Sequence, residues 1–182
     1  MSRGLGDVYK RQNQGNGVAH AASLTLEAAM TTIVIDTPIG APADVCFDLA
    51  RDVDAHVRTA AATGERVVLG KTSGLLELGD SVTFEAVHFG LRLRLTSRIV
   101  EFERPRRFID EMVAGPFASL RHVHDFLSEG TATLMRDTLV WTSPLGVLGR
   151  IADRLVIERH MRAFMITKQS ALKAEAERLA RR

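Results

Sequence analysis

The chain has 182 residues, 46% hydrophobic and 25% charged, a composition that suits one globular domain able to bury a core and excludes disordered and collagen-like architectures. No window approaches the roughly 18 consecutive apolar residues of a membrane-spanning helix, and the single cysteine, Cys46, excludes an internal disulfide and a cysteine-rich zinc site and fits a cytoplasmic setting. The net charge of +2, spread along the chain, and the 5% aromatic content argue against a nucleic-acid partner, which calls for a concentrated basic face with stacking rings.

Residues 1–31 are rich in Gly, Asn, Gln, Ala and Ser and lack sustained periodicity, so they read as a disordered tail. Within it, Asp7–Gln12 (DVYKRQ) reads as a sequence-assembly artefact, a short helix is allowed around Ala21–Met30, and Met30 is a candidate natural start. Residues 32–182 then form one domain, without tyrosine, since the only one is Tyr9. Thr32–Ile39 is β-branched and predicts a strand; Pro42 opens a helix over Ala43–Val53, followed by a second short helix over Asp54–Ala61. Strands are predicted at Glu65–Leu69, Ser81–His88, Leu91–Phe102, Arg107–Val113, Phe117–Leu127 and Thr131–Trp141, separated by glycine-containing turns. From Val147 to about Ala180 there is no proline, and apolar residues at Leu148, Ile151, Leu155, Met161, Met165 and Leu172 predict one long helix.

The fold class that follows is α+β: a curved antiparallel sheet of about six to seven strands wrapped around a long C-terminal helix, with two short helices after the first strand. An antiparallel sheet with one apolar face must cover it, and the final helix is the only large amphipathic element available. Such a helix-grip arrangement leaves a cavity between sheet and helix.

Strand pairing assigns faces. With Phe89-Gly90 as a two-residue turn, His88 opposes Leu91, Phe84 opposes Leu95 and Val82 opposes Ser97. Phe84, His88, Leu93 and Leu95 then face inward, leaving Glu85, Arg92, Arg94 and Arg98 for water. With Glu129-Gly130 as the next turn, His122 opposes Asp137, His124 opposes Met135 and Leu120 opposes Leu139. The inward face carries Leu120, Phe126, Met135, Leu139 and Trp141 and, among them, His122, His124 and Asp137. Buried polar groups need partners, so this trio is either a self-satisfied structural cluster, a ligand-orienting group, or an acid/base pair. Two histidines two apart on a strand plus an aspartate also match a metal-ligand pattern, but the spacing is weakly specific and no metal is assigned.

Other residues have plain readings. Cys46 is a small core residue, and His56 and His160 sit at a pocket mouth or in solvent. Arg150, Arg154, Arg159, Arg162, Lys168 and Lys173 read as the solvated face of the last helix, with peripheral membrane or partner docking as the alternative use. No GxGxxG, P-loop, GxSxG, HExxH or CxxC is present.

Several stretches together resemble the SRPBCC superfamily, the START-like helix-grip domains that include polyketide cyclase/dehydrase-like and lipid-transport proteins. They are TPIGAPADVCFDLARDVDAH (Thr37–His56), ELGDSVTFEAVHFG (Glu77–Gly90), LTSRIVEFERPRRFIDEMVAGPF (Leu95–Phe117), RHVHDF (Arg121–Phe126) and GTATLMRDTLVWTSPLG (Gly130–Gly146). The resemblance implies a cavity for a hydrophobic or aromatic small molecule and no cofactor. Its expected lining is Phe84, His88, Leu93 and Leu95 from one hairpin, Met112, and Leu120, His122, His124, Met135, Asp137, Leu139 and Trp141 from the strands after it, with Met161 and Met165 from the helix. Were the protein a cyclase or dehydratase, His122, His124 and Asp137 would be its catalytic groups, with Asp110 and His88 as neighbours.

Overall fold

The computed structural model describes residues 30–60 and 64–182; the expected tail and its short helix lie outside the described residues, apart from Met30 and Thr31. The chain runs β1 (Thr31–Ile39), α1 (Ala43–Ala50), α2 (Val53–Thr59), β2 (Arg66–Gly70), β3 (Ser81–His88), β4 (Leu91–Glu103), β5 (Arg107–Ala114), β6 (Ser119–Glu129) and β7 (Ala132–Thr142). It ends in α3 (Val147–Ala152), a π-helical turn (Asp153–Ile157) and α4 (Glu158–Ala180). The seven strands form one antiparallel sheet in the order β1-β7-β6-β5-β4-β3-β2, the helix-grip architecture expected from the sequence.

The two predicted short helices are both present, with the boundary between them moved toward the N-terminus. The Asp52 side chain accepts hydrogen bonds from the backbone N–H groups of Asp54 and Ala55, capping the second helix and ending the first at Ala50. The β3–β4 hairpin has the predicted register, with His88 opposite Leu91 and Phe84 opposite Leu95. Phe89 and Gly90 have φ of 54° and 75°, the paired positive values of a type I′ turn. The β6–β7 hairpin differs: its turn is Gly130-Thr131, so His124 opposes Asp137, His122 opposes Leu139 and Leu120 opposes Trp141. Gly130 takes φ of 70°, and a turn with glycine at the first central position spares Glu129 a left-handed conformation. The slip moves partners by two residues and leaves every side chain on its predicted face.

One core lies between the sheet and the helices. Phe47 of α1 is fully buried and meets Phe102, Phe108 and Phe126 edge-on, with ring centroids 5.3, 5.4 and 5.3 Å away. Cys46 is buried beside it, as expected. A second cluster packs Ile33, Leu120, Leu139 and Trp141 against Met112, Phe117, Ile157 and Met161.

Two corrections concern charge and helix phase. Glu85, assigned to water, is buried on the outer face of the sheet by the guanidinium groups of Arg66 at 2.6 Å and Arg94 at 2.8 Å, with Arg92 at 3.5 Å. The long helix does not bury Leu148, Ile151 and Leu155; Leu148 and Leu155 are 70% and 71% exposed. Gly149 and Asp153, four residues apart, take the inward side instead. A Cβ on Gly149 would lie 2.0 Å from the Pro144 carbonyl oxygen, so only glycine permits this approach. Asp153 Oδ1 accepts hydrogen bonds from Trp141 Nε1 (2.8 Å) and Ser143 Oγ (2.6 Å), fixing the helix to β7.

The two outer strands are modified along their lengths. β2 is short and carries a register shift between Val67 and Leu69. Along β1, Lys173 Nζ donates to the carbonyl of Pro38 (2.5 Å) and Arg162 Nη1 to that of Val34 (3.5 Å), both from α4.

Candidate functional site

A cavity of about 400 Å³ lies between the concave face of the sheet and the C-terminal helix, within the roughly 300–1,000 Å³ typical of small-molecule sites. Phe84, His88, Leu93 and Leu95 line it from β3 and β4, Leu120, Met135 and Leu139 from β6 and β7, and Met161 and Met165 from α4. His122, His124 and Asp137 line it too, with Asp110 from β5. Met112 and Trp141 stand outside the lining: they pack in the second core cluster, where the Trp141 indole N–H is committed to Asp153.

The polar groups form two sets. In the first, the His122 and His124 rings lie 3.8 Å apart, bracketed by two carboxylates. Asp137 Oδ1 is 2.6 Å from His124 Nδ1 and 3.0 Å from His122 Nε2. On the opposite ring edges, Asp110 Oδ2 is 3.2 Å from His124 Nε2 and 3.8 Å from His122 Nδ1. Asp137, 3% exposed, is held by Gln169 Nε2 through its other oxygen, and Gln169 Oε1 accepts from Thr37 Oγ1 at 2.6 Å. His122 Nε2 and Asp137 Oδ1 are buried without a hydrogen bond: their separation is short, but the angle between them is not that of one.

Electrostatics separate the two imidazoles. Burial opposes a charge on His124, but Asp137 and then Asp110 outweigh it and raise its pKa to about 9. Burial and the neighbouring His124 push His122 below the ordinary imidazole value. Burial works to raise the Asp110 carboxyl, yet His124 and His122 bring it down to about 2, and the same histidines hold Asp137 well below the usual carboxylate range.

In the second set, His56 Nε2 lies 2.5 Å from Glu65 Oε1 and within 2.5 Å of Lys168 Nζ, while the His56 ring stacks on Phe84 with centroids 4.0 Å apart. Burial lowers the Lys168 ammonium and the His56 imidazole, with Lys168 adding to the effect on His56. Glu65 is raised by burial but brought to about 2 by Lys168 and His56. His88 Nδ1 and His160 Nε2 sit 2.9 Å apart at the hairpin tip beside Phe89.

Sequence reasoning missed Lys168, Gln169, Glu65 and Thr37. Lys168, assigned to the solvated face, points into the cavity. The signal was present: Met161, Met165, Leu172 and Ala176 define the inward stripe of α4, and positions 168 and 169 fall within it.

No protein-family model and no curated protein matches the chain. Solved structures do match it, at low identity. The Zhui aromatase/cyclase from Streptomyces sp. R1128 superposes with TM-score 0.67 at 17% identity over 82% of this chain and 94% of that one. A ginseng (Panax ginseng) major latex-like protein 151 gives TM-score 0.62 at 13% identity, over 81% of this chain and 98% of that one. A START superfamily protein from Mycobacterium smegmatis gives 0.61 at 13%, with the same coverage of 81% and 98%.

Proposed function

We propose that this chain, which has the START-like helix-grip fold, binds one hydrophobic small molecule between its sheet and its C-terminal helix, oriented by the His122, His124, Asp110 and Asp137 cluster. One observation carries the reading: a cavity of about 400 Å³ has walls of leucine, methionine and phenylalanine and polar groups gathered at defined places. Apolar walls supply affinity without direction, and a few fixed polar groups supply orientation. That the named structural neighbours include an aromatase/cyclase and a START superfamily protein supports the same general class of ligand.

The test is native mass spectrometry of the full chain, with displacement of an environment-sensitive apolar fluorophore. A one-to-one adduct is expected. Ala86→Phe, which adds a ring where Ala86 lines the cavity, should weaken fluorophore binding at least tenfold; unchanged affinity would overturn the reading.

A second reading is favoured by one geometric fact, that two imidazoles in contact are each within reach of two carboxylates on the cavity wall. Such a pair suits proton transfer on a bound carbonyl compound, as in a cyclisation or dehydration. On an identified substrate, His124→Ala should lower turnover by at least two orders of magnitude; full activity in that variant would remove this reading.

A further inference from the structure

The ring nitrogens of the histidine pair are sorted between two carboxylates in a way that a structural cluster does not require. His122 Nε2 and His124 Nδ1 both face Asp137, which lies behind the rings and is held by Gln169. The remaining nitrogens, His122 Nδ1 and His124 Nε2, converge with Asp110 Oδ2, and one ligand atom from each of the three residues falls within 4.8 Å of the others. All three residues line the cavity.

We propose that Asp110, His122 and His124 form a binding site for one divalent transition-metal ion, with Asp137 as the residue that positions both imidazoles. Two atoms each about 2.1 Å from a common metal stand roughly 3.0–3.4 Å apart at angles of 90–109°. The Asp110–His124 separation of 3.2 Å meets this, and the Asp110–His122 separation of 3.8 Å needs only a small rotation of either side chain. Metal-ligating histidines characteristically offer their other nitrogen to a carboxylate, and one carboxylate here faces both rings. His122 Nε2 and Asp137 Oδ1, the buried side-chain atoms without a hydrogen bond among the described residues, both belong to that arrangement.

Two imidazoles and one carboxylate suit zinc or ferrous iron rather than calcium or magnesium, and three protein ligands leave coordination positions open. Because all three ligating residues line the cavity, a hydrophobic ligand carrying a pair of adjacent oxygens would be the group to complete the shell. In that respect the inference deepens the binding proposed above, but the metal site itself is independent of any organic ligand.

The experiment uses the tag-free full chain, stripped with a chelator and titrated with Zn²⁺ alone by calorimetry, with elemental analysis of the dialysed complex. One ion per chain and a Zn²⁺-dependent rise in melting temperature are expected. Asp110→Asn and His122→Ala should each abolish the stoichiometric ion, while Asp137→Asn should weaken it about 10–100-fold, as loss of a positioning carboxylate does. His160→Ala separates this site from the nearby His88–His160 pair and should retain the ion. Absence of stoichiometric Zn²⁺ in the wild-type chain would overturn the proposal without need of any variant, as would loss of the ion in His160→Ala with retention in Asp110→Asn. Fluorophore binding measured in chelator reports on the cavity alone, so failure of the metal site and failure of ligand binding are read separately.

Discussion

Asp153 is the point at which the helix covering the cavity is tied to the sheet, and its replacement gives a sharp stability test. Its carboxylate is 2% exposed, and one oxygen, Oδ1, accepts from both the Trp141 indole and the Ser143 hydroxyl; Thr31 Oγ1 lies 3.4 Å from the other. Asp153→Ala leaves two buried donors without an acceptor, each costing about 1–3 kcal/mol, so a loss of about 4 kcal/mol is expected. For a domain of this size, at about 2–4 °C per kcal/mol, the melting temperature should fall by roughly 8–16 °C. Asp153→Asn can keep a carbonyl oxygen where Oδ1 stands and loses the charge and the long contact from Thr31 to Oδ2, so it should cost about 1 kcal/mol. Urea denaturation followed by Trp141 fluorescence measures both. Equal losses in the two variants, or a loss below about 1 kcal/mol in Asp153→Ala, would refute the assignment of Asp153 as a shared acceptor.

The remaining predictions use other parts of the fold. Glu65 has its folded pKa lowered to about 2 from the ordinary carboxylate value of 4.5, so its contribution is full above about pH 4.5 and is lost as pH falls toward 2. Wild-type stability should drop on the order of 3 kcal/mol through that window, and Glu65→Gln should flatten the profile; parallel urea midpoints in the two proteins would exclude the pairing with Lys168 and His56. Phe47→Ala removes the ring that meets three other phenylalanines and should cost about 3–5 kcal/mol by chemical denaturation, a loss under about 1 kcal/mol being incompatible with the packing described. Gly149→Ala should lower the melting temperature more than Gly115→Ala, because the first meets a backbone carbonyl and the second first meets the flexible Met112 side chain; the reverse order in thermal scans would count against the close approach of α3.

What the sequence made legible follows from periodicity and turn chemistry. Alternation along Ser81–His88 and Leu91–Glu103, with Phe89-Gly90 between them, set both faces and the pairing of that hairpin. In the β6–β7 hairpin the faces were readable but the partners were not, because Gly130 serves either turn frame and the choice rests on which neighbour must adopt positive φ. His122, His124 and Asp137 were therefore found together by face, whereas Asp110 entered only as a neighbour, since the β5–β6 pairing that sets it opposite His122 spans a turn without a clear two-residue signature. Lys168 and Gln169 were hidden for another reason: polar residues on a helix default to solvent, and only the cavity makes an inward lysine affordable. The burial of Glu85 arises from three arginines on two other strands, which no single strand's pattern encodes.

The sheet opens around its helix and never closes on itself, so β1 and β2 each present an outer edge to their surroundings. An unprotected edge is a template for another chain, and the two edges here are blunted by different means. On β2, five residues with a bulge give an incoming strand too short and too irregular a ladder to extend. On β1, Pro38 has no N–H to offer, and basic side chains of α4 occupy the carbonyls of Val34 and Pro38. The helix that roofs the cavity thus also guards against strand-to-strand polymerisation, and a chain shortened before Lys173 would lose part of that guard together with the end of its core.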